Sequence, residues 1–185
     1  MDKSEGRRHC VIVMGPAGVG KTTVAQGLSE RLGWSFAEAD EFHSKANIEK
    51  MTAGVPLTDE DRAPWLVAIR DWISAEAGQG RCSVATCSAL KRRYRDVLRG
   101  AEARVRFLEL VADPELVAGR LARRKGHYMP PSLLGSQFAA LEPLEPDEDG
   151  VEVSVAASPD EVIRQALAAL QRFAGRDVSE RRLHG

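Results

Sequence analysis

The chain has 185 residues, 43% of them hydrophobic and 29% charged, which is the balance of an ordinary globular protein with room for one sizeable core. A formal net charge of −1 excludes the overall basic field that would draw the chain to nucleic acid or to an anionic membrane surface. Cys10, Cys82 and Cys87 make an odd count without metal-ligand spacing, so no disulfide framework is implied and a reducing compartment fits. The first nine residues, MDKSEGRRH, lack the apolar stretch of a signal peptide, and the apolar run after them is too short to cross a bilayer. A cytoplasmic protein is expected.

The first apolar run, Cys10 to Met14, reads as a buried strand that leads straight into glycines. Lys21 to Leu32 reads as a helix, with Val24, Leu28 and Leu32 on one face and Gly33 as its left-handed end. Trp34–Ala39 is expected to be a second strand. Trp65, Ile69, Trp72 and Ile73 then recur at helical spacing, and Pro64 should fall in that helix's first turn, because deeper in it would remove a hydrogen bond. Arg81–Cys87, Arg104–Val111 and Val151–Ala156 are the remaining strands. Asp113-Pro114 marks one helix start, a cap followed by proline at the first helical position, and Ser158-Pro159-Asp160-Glu161 marks another. Strands alternating with helices imply a three-layer α/β fold, a five-stranded parallel sheet flanked by helices. One domain over residues 1–175 is expected, with a polar tail at 176–185 that frays.

The segment Gly15-Pro16-Ala17-Gly18-Val19-Gly20-Lys21-Thr22 fits G-x-x-x-x-G-K-[ST] without mismatch. Its glycines let successive backbone N–H groups turn toward phosphate oxygens, and the helix that follows adds its free amides and positive dipole end. Lys21 would reach the β- and γ-phosphates of ATP, the Thr22 hydroxyl would take Mg²⁺, and Thr23 lies next to both. A strand before the loop and an amphipathic helix after it supply the context that this motif needs. Binding a nucleotide does not by itself say what is done with it.

Further blocks follow in a fixed order: Glu38-Ala39-Asp40-Glu41-Phe42-His43, Asn47 to Met51, Gly54 to Leu57, Asp59 to Leu66, Cys87 to Asp96, Arg120 to Tyr128, Ser136-Gln137-Phe138 and Leu141-Glu142-Pro143. In order and spacing, from about Val11 to Leu170, the chain resembles the gluconokinases of the P-loop type, relatives of shikimate kinase and the nucleoside monophosphate kinases. The resemblance implies transfer of phosphate from ATP to the 6-hydroxyl of D-gluconate, giving ADP and 6-phospho-D-gluconate, and it implies a homodimer. It also matches Arg120 and Arg124 to a pair of lid arginines, with a small helical lid at about 120–140. The family pattern has Asp-Gly-Asp where this chain has Glu38-Ala39-Asp40, so only the second carboxylate matches and the metal's outer coordination is left open. No aspartate ends the third strand.

The residues themselves are consistent with a small polyol acid as acceptor. Asp40, at a strand end, can accept or orient the proton of an attacking hydroxyl, or it can simply cap a helix starting near Glu41. Arg62 and Lys91 are candidate cations for the carboxylate, His43 a partner for a hydroxyl, and Gln137 a further substrate contact. Arg92, Arg93, Arg95 and Arg99 form the densest basic run, read as a solvated helix face with local ion pairs rather than a nucleic-acid patch. Arginines closing over the phosphates would neutralise charge and exclude water. Lys45 and Lys50 read as surface charges, and Cys87 as packing. A shikimate or nucleoside monophosphate kinase, or an ATP-dependent switch, remains the alternative.

Overall fold

A computed structural model describes residues 7–123 and 131–183, with 131–133 and 173–183 described by backbone alone. Five parallel strands form one sheet in the order β2-β3-β1-β4-β5: β1 His9–Met14, β2 Ser35–Glu38, β3 Ser83–Thr86, β4 Arg104–Val111 and β5 Gly150–Ser154. Helices α1 Lys21–Leu32, α2 Lys45–Thr52, α3 Asp59–Gly78, α4 Arg92–Arg99, α5 Pro114–Arg123, α6 Pro131–Ala140 and α7 Pro159–Leu183 connect and cover the strands. The backbone of α7 stays helical through 176–183, the stretch that the sequence marks as a fraying tail.

The central strand shows why the sequence reads as an unbroken apolar run. Side chains alternate across a strand, so Cys10, Ile12 and Met14 join the layer of α3 and α4, with Trp65, Ile69, Ile73, Leu98 and Phe107. Val11 and Val13 join the opposite layer, with Val24 and Leu28 of α1 and Val162, Ile163 and Ala166 of α7. Both faces of β1 are therefore dry. Gly27 lets α7 come close, since a Cβ there would sit 2.4 Å from Ile163 Cδ1.

Two local starts differ in kind. Asp113 accepts the Glu115 amide at 2.8 Å, the cap expected just before α5. Helix α3, however, begins five residues before Pro64. Thr58 accepts the Asp61 amide and Asp61 accepts the Thr58 amide, a reciprocal capping box. Pro64 is therefore the sixth helical residue and not a first-turn residue, and the carbonyl of Glu60 goes without its helical donor.

The basic run on α4 is a solvent-facing set of ion-paired arginines at Arg92, Arg93 and Arg99, and departs from a solvated face only at Arg95. Arg92 pairs with Asp96 and Asp147, Arg93 with Asp59, and Arg99 with Asp96. Arg95 is fully buried and grips Glu148 at 2.6 and 3.0 Å, while its remaining N–H groups donate to the carbonyls of Ala89, Leu90, Glu142 and Pro143. Each of the four arginines has a carboxylate of this chain as a partner.

Burial pushes the Glu148 carboxyl up, but hydrogen bonds from Arg95 and from the Glu145 amide outweigh it, so it stays below the ordinary glutamate value of 4.5. As pH falls, the unfolded chain takes the proton first. The pair's stabilisation is thus complete above about pH 4.5 and is lost as pH falls through the lower folded value. Arg95→Met should cost roughly 3–5 kcal/mol at neutral pH in denaturant unfolding, because it strands a buried charge. Acidification from pH 7 toward 5 should then stabilise this variant while leaving the parent nearly flat.

Candidate active site

The site forms where β1, β2 and β3 end, the edge of an open parallel sheet at which ligands collect. Gly15, Gly18 and Gly20 all have positive φ, at 141°, 83° and 97°. At Gly18 a Cβ would also lie 2.9 Å from Leu121 of α5, so only glycine lets the loop pass under that helix. The loop feeds α1, whose first residues are Lys21, Thr22 and Thr23. Lys21 Nζ donates to the carbonyls of Gly15 and Pro16 at 3.0 and 3.1 Å, which holds the ammonium across the cradle. Burial lowers its pKa, and Asp40, Cys87 and Glu38 act in the opposite direction.

Glu38 is the residue whose part the sequence left undefined. Its carboxylate accepts from Thr22 Oγ1 at 2.8 Å and from Thr86 Oγ1 at 2.5 Å, bridging the start of α1 to the end of β3. The extra methylene relative to aspartate supplies that reach. It also answers the missing carboxylate on β3, since Thr86 there presents a hydroxyl that binds Glu38 instead.

Asp40 does not end a strand. β2 stops at Glu38, and Asp40 sits in a short 3-10 turn, Ala39–Phe42. Its carboxylate is exposed and receives no backbone amide, so helix capping has no hydrogen bond behind it. The turn is fixed by Trp65, whose indole N–H donates to the Ala39 carbonyl at 2.7 Å, and by Thr86, which accepts the Ala39 amide at 3.2 Å. His43 stacks on the Trp65 ring with 4.3 Å between centroids. Burial lowers the His43 pKa and Arg62 adds to this, against Asp40. The ring is therefore neutral near pH 7, able to donate or accept a hydroxyl hydrogen bond. One tryptophan thus holds both Asp40 and His43, a role visible in the sequence only as core periodicity.

Arg62 is half-buried and lies near His43, Cys87 and the Tyr94 ring. Lys91 Nζ lies 3.4 Å from Asp59 and 5.7 Å from the centre of the Tyr94 ring. The Cys87 thiol is buried and pushed up to about 12, chiefly by that burial, which fits packing and not nucleophilic chemistry. Lys50 is less of a bare surface charge than its sequence suggests: it bonds both oxygens of Asp61 at 2.8 and 2.9 Å, and Asn47 donates to the Asp61 carbonyl. Lys45 is exposed, 3.9 Å from Glu49.

The far side of the phosphate loop opens on a cavity of about 360 Å³, lined by Gly18, Val19, Thr23, Arg120, Arg123 and Val155 among others. Arg120 there donates to the Val155 carbonyl at 2.7 Å, so its guanidinium braces the cavity wall. Gln137, from α6, places Oε1 2.7 Å from the Ala17 amide, on the loop itself and not beside Asp40. Arg124 and His127 lie outside the described residues.

A protein family described as an AAA domain matches residues 10–144. The chain is 48% identical over 161 residues to a gluconokinase of Gluconobacter oxydans (strain 621H), covering 87% of this chain and 90% of that one. The chain belongs to that AAA-domain family and, within it, to the gluconokinases. A crystal structure of a gluconokinase from Sinorhizobium meliloti 1021 superposes with TM-score 0.85 at 40% identity, covering 94% of this chain and 99% of that one. An unliganded sugar kinase from Janibacter sp. HTCC2649 gives 0.82 at 51%, covering 89% and 95%. In this gluconokinase-family chain the family-specific block at 47–66 is largely scaffold: Asn47, Lys50 and Asp61 join α2 to α3, and Trp65 holds the turn that carries Asp40.

Among the described residues, the hydrogen bonds of Lys21 go to the loop carbonyls of Gly15 and Pro16, so Lys21→Ala should leave the unfolding free energy within about 1 kcal/mol of the parent. Phosphoryl transfer should fall by two orders of magnitude or more, as read by ADP release.

Proposed function

We propose that this chain is an ATP-dependent gluconokinase that transfers the γ-phosphoryl group to the 6-hydroxyl of D-gluconate. The carrying observation is the placement of Asp40. Its carboxylate stands free at the mouth of the phosphate loop, within electrostatic reach of Lys21 on one side and His43 on the other. Beyond His43 lies Arg62, a fixed cation for the carboxylate end of the acceptor.

The loop amides from Gly15 to Thr22 and the Lys21 ammonium hold the phosphates, and the cavity beside Thr23 and Arg120 takes the rest of the nucleotide. Asp40 accepts the proton of the 6-hydroxyl as its oxygen bonds to the γ-phosphorus and the bond to the β–γ bridging oxygen breaks. ADP leaves with that electron pair, and the proton passes from Asp40 to solvent. His43 orients a neighbouring hydroxyl. Gln137 steadies the loop at Ala17, and Arg120, held by the Val155 carbonyl, contributes positive charge to the nucleotide cavity.

The donor set of Thr22 and Glu38 is oxygen only, which suits a hard cation held mainly by phosphates and water. Thr22 would hold Mg²⁺ directly and Glu38 would order its water shell. When bound, the ion neutralises charge on the phosphate oxygens. Glu38→Gln should raise the Mg²⁺ concentration for half-maximal rate about tenfold, on the scale of losing an outer-shell partner. We read the working protein as a cytoplasmic homodimer.

An ADP-release assay with D-gluconate, shikimate and nucleoside monophosphates in parallel tests the acceptor. Turnover with gluconate alone, with phosphate on the sixth carbon of the product, is expected; turnover on another acceptor alone would discard gluconate. Asp40→Asn should lower kcat by about 10² or more while KM for ATP and the melting temperature stay near those of the parent. A fall confined to the melting temperature would make Asp40 structural.

A further inference from the structure

The first turn of α3 contains an ion pair that does not form. Asp59 and Arg62 are three apart on one helix, the spacing at which opposite charges are neighbours. Yet Asp59 turns across to α4. It accepts the Tyr94 hydroxyl, pairs with Arg93 at 2.6 Å and lies 3.4 Å from Lys91. Arg62 is left with its guanidinium carbon 5.7 Å from the centre of the Tyr94 ring. Among the described residues it makes no ion pair, whereas Lys50, Lys91, Arg92, Arg93, Arg95 and Arg99 around it all do.

A half-buried guanidinium one turn from a carboxylate would ordinarily be neutralised by it. Here the carboxylate is tied to three donors on another helix, and Tyr94 is the one among them that carries no charge. Its hydroxyl is committed to Asp59 and is not available to a ligand, while its ring face carries Arg62. Arg62, Lys91 and Arg93 around the ring set three positive charges against the single negative charge of Asp59, a net positive excess that an anionic ligand would reduce. A polyol of the same length without a carboxylate would leave that excess uncompensated.

We propose that Tyr94 is a positioning residue for acceptor specificity: by holding Asp59 on α4 it keeps that carboxylate off Arg62, which is thereby reserved for the carboxylate of the acceptor. The inference rests on the sugar-acid kinase reading and adds a residue that touches neither substrate nor nucleotide. Burial and the bond to Asp59 push the Tyr94 hydroxyl up to about 12, so it remains a donor throughout the working range. Without that hydroxyl, Asp59 keeps only Arg93 and Lys91 on that side, so its i+3 neighbour Arg62 competes for it and the substrate meets a rival carboxylate.

The test is a set of steady-state measurements on the full chain with D-gluconate as acceptor and D-glucitol, its uncharged counterpart, as inhibitor. Tyr94→Phe should raise KM for gluconate about tenfold, the scale of one charge-assisted hydrogen bond. Meanwhile kcat, KM for ATP and inhibition by glucitol should stay within about twofold. Adding Asp59→Asn to Tyr94→Phe removes the competitor and should return KM to within about threefold of the parent, a rescue that simple loss of packing would not show. Asp59→Glu, whose longer arm reaches Arg62 past an intact Tyr94, should raise KM for gluconate as well, and it serves if Tyr94→Phe does not fold. An unchanged gluconate KM in Tyr94→Phe, equal losses for gluconate and glucitol, or failure of the double variant to recover would overturn the proposal. A parent enzyme silent with gluconate would instead sink the acceptor reading, and this inference with it.

Discussion

A guanidinium sealed from water has to find acceptors for all its N–H groups, and Arg95 finds them by gathering two loops that are far apart in sequence. Glu148 supplies the charge, and the carbonyls of Ala89, Leu90, Glu142 and Pro143 supply the rest. Once those bonds are made, the segment after β3 has little freedom left. Ala89 is held at φ 45°, a conformation that a non-glycine residue adopts only under constraint. Glu142 is brought to the start of α4, where its carboxylate accepts the Arg92 amide at 2.6 Å and caps a helix that has no side-chain cap of its own. Lys91 and Tyr94 are placed as a consequence. A buried pair of this kind is weak evidence of extra stability, because desolvation offsets attraction. What it does secure is the position of one wall of the site.

The opposite wall is built on Trp65. Its indole N–H holds the turn that carries Asp40, and its face supports His43. Between the two walls, charge alternates across the elements that follow β1 and β2. Glu38 accepts from Thr22 at the phosphate loop, and Asp40 acts electrostatically on both Lys21 and His43, as Arg62 does on His43. On the function proposed above, this order would set a cation at each end of the acceptor and a carboxylate at the hydroxyl that loses its proton. Catalysis of this type depends on positioning and preorganised charge more than on reactive side chains, which is why the cysteine in the middle of the site remains a packing residue.

Much of this was legible in the chain itself. The phosphate loop is local, and its strand, glycines and helix are adjacent in sequence, so their geometry follows from short-range sterics. β1 was legible for a similar reason, since a strand dry on both faces must be apolar throughout. The start of α3 was misjudged because proline is a strong local signal and the capping box before it is a pair of polar residues with many other uses. In the sequence Arg95 reads as a surface charge because it sits among three other basic residues, and nothing local distinguishes the one whose partner is 53 positions away.

The sequence by itself determined the strand–loop–helix that cradles phosphate, the layering of the domain, and the family, because each rests on patterns within about twenty residues or on their order. Only the tertiary structure decided which carboxylate meets which cation. Asp59 turns from its helical neighbour to α4, Glu38 joins Thr22 to Thr86, and Gln137 reaches back 120 positions to the Ala17 amide. Polar partners are chosen by which groups packing brings within 3 Å after desolvation, and a one-dimensional pattern of charges carries no record of that distance.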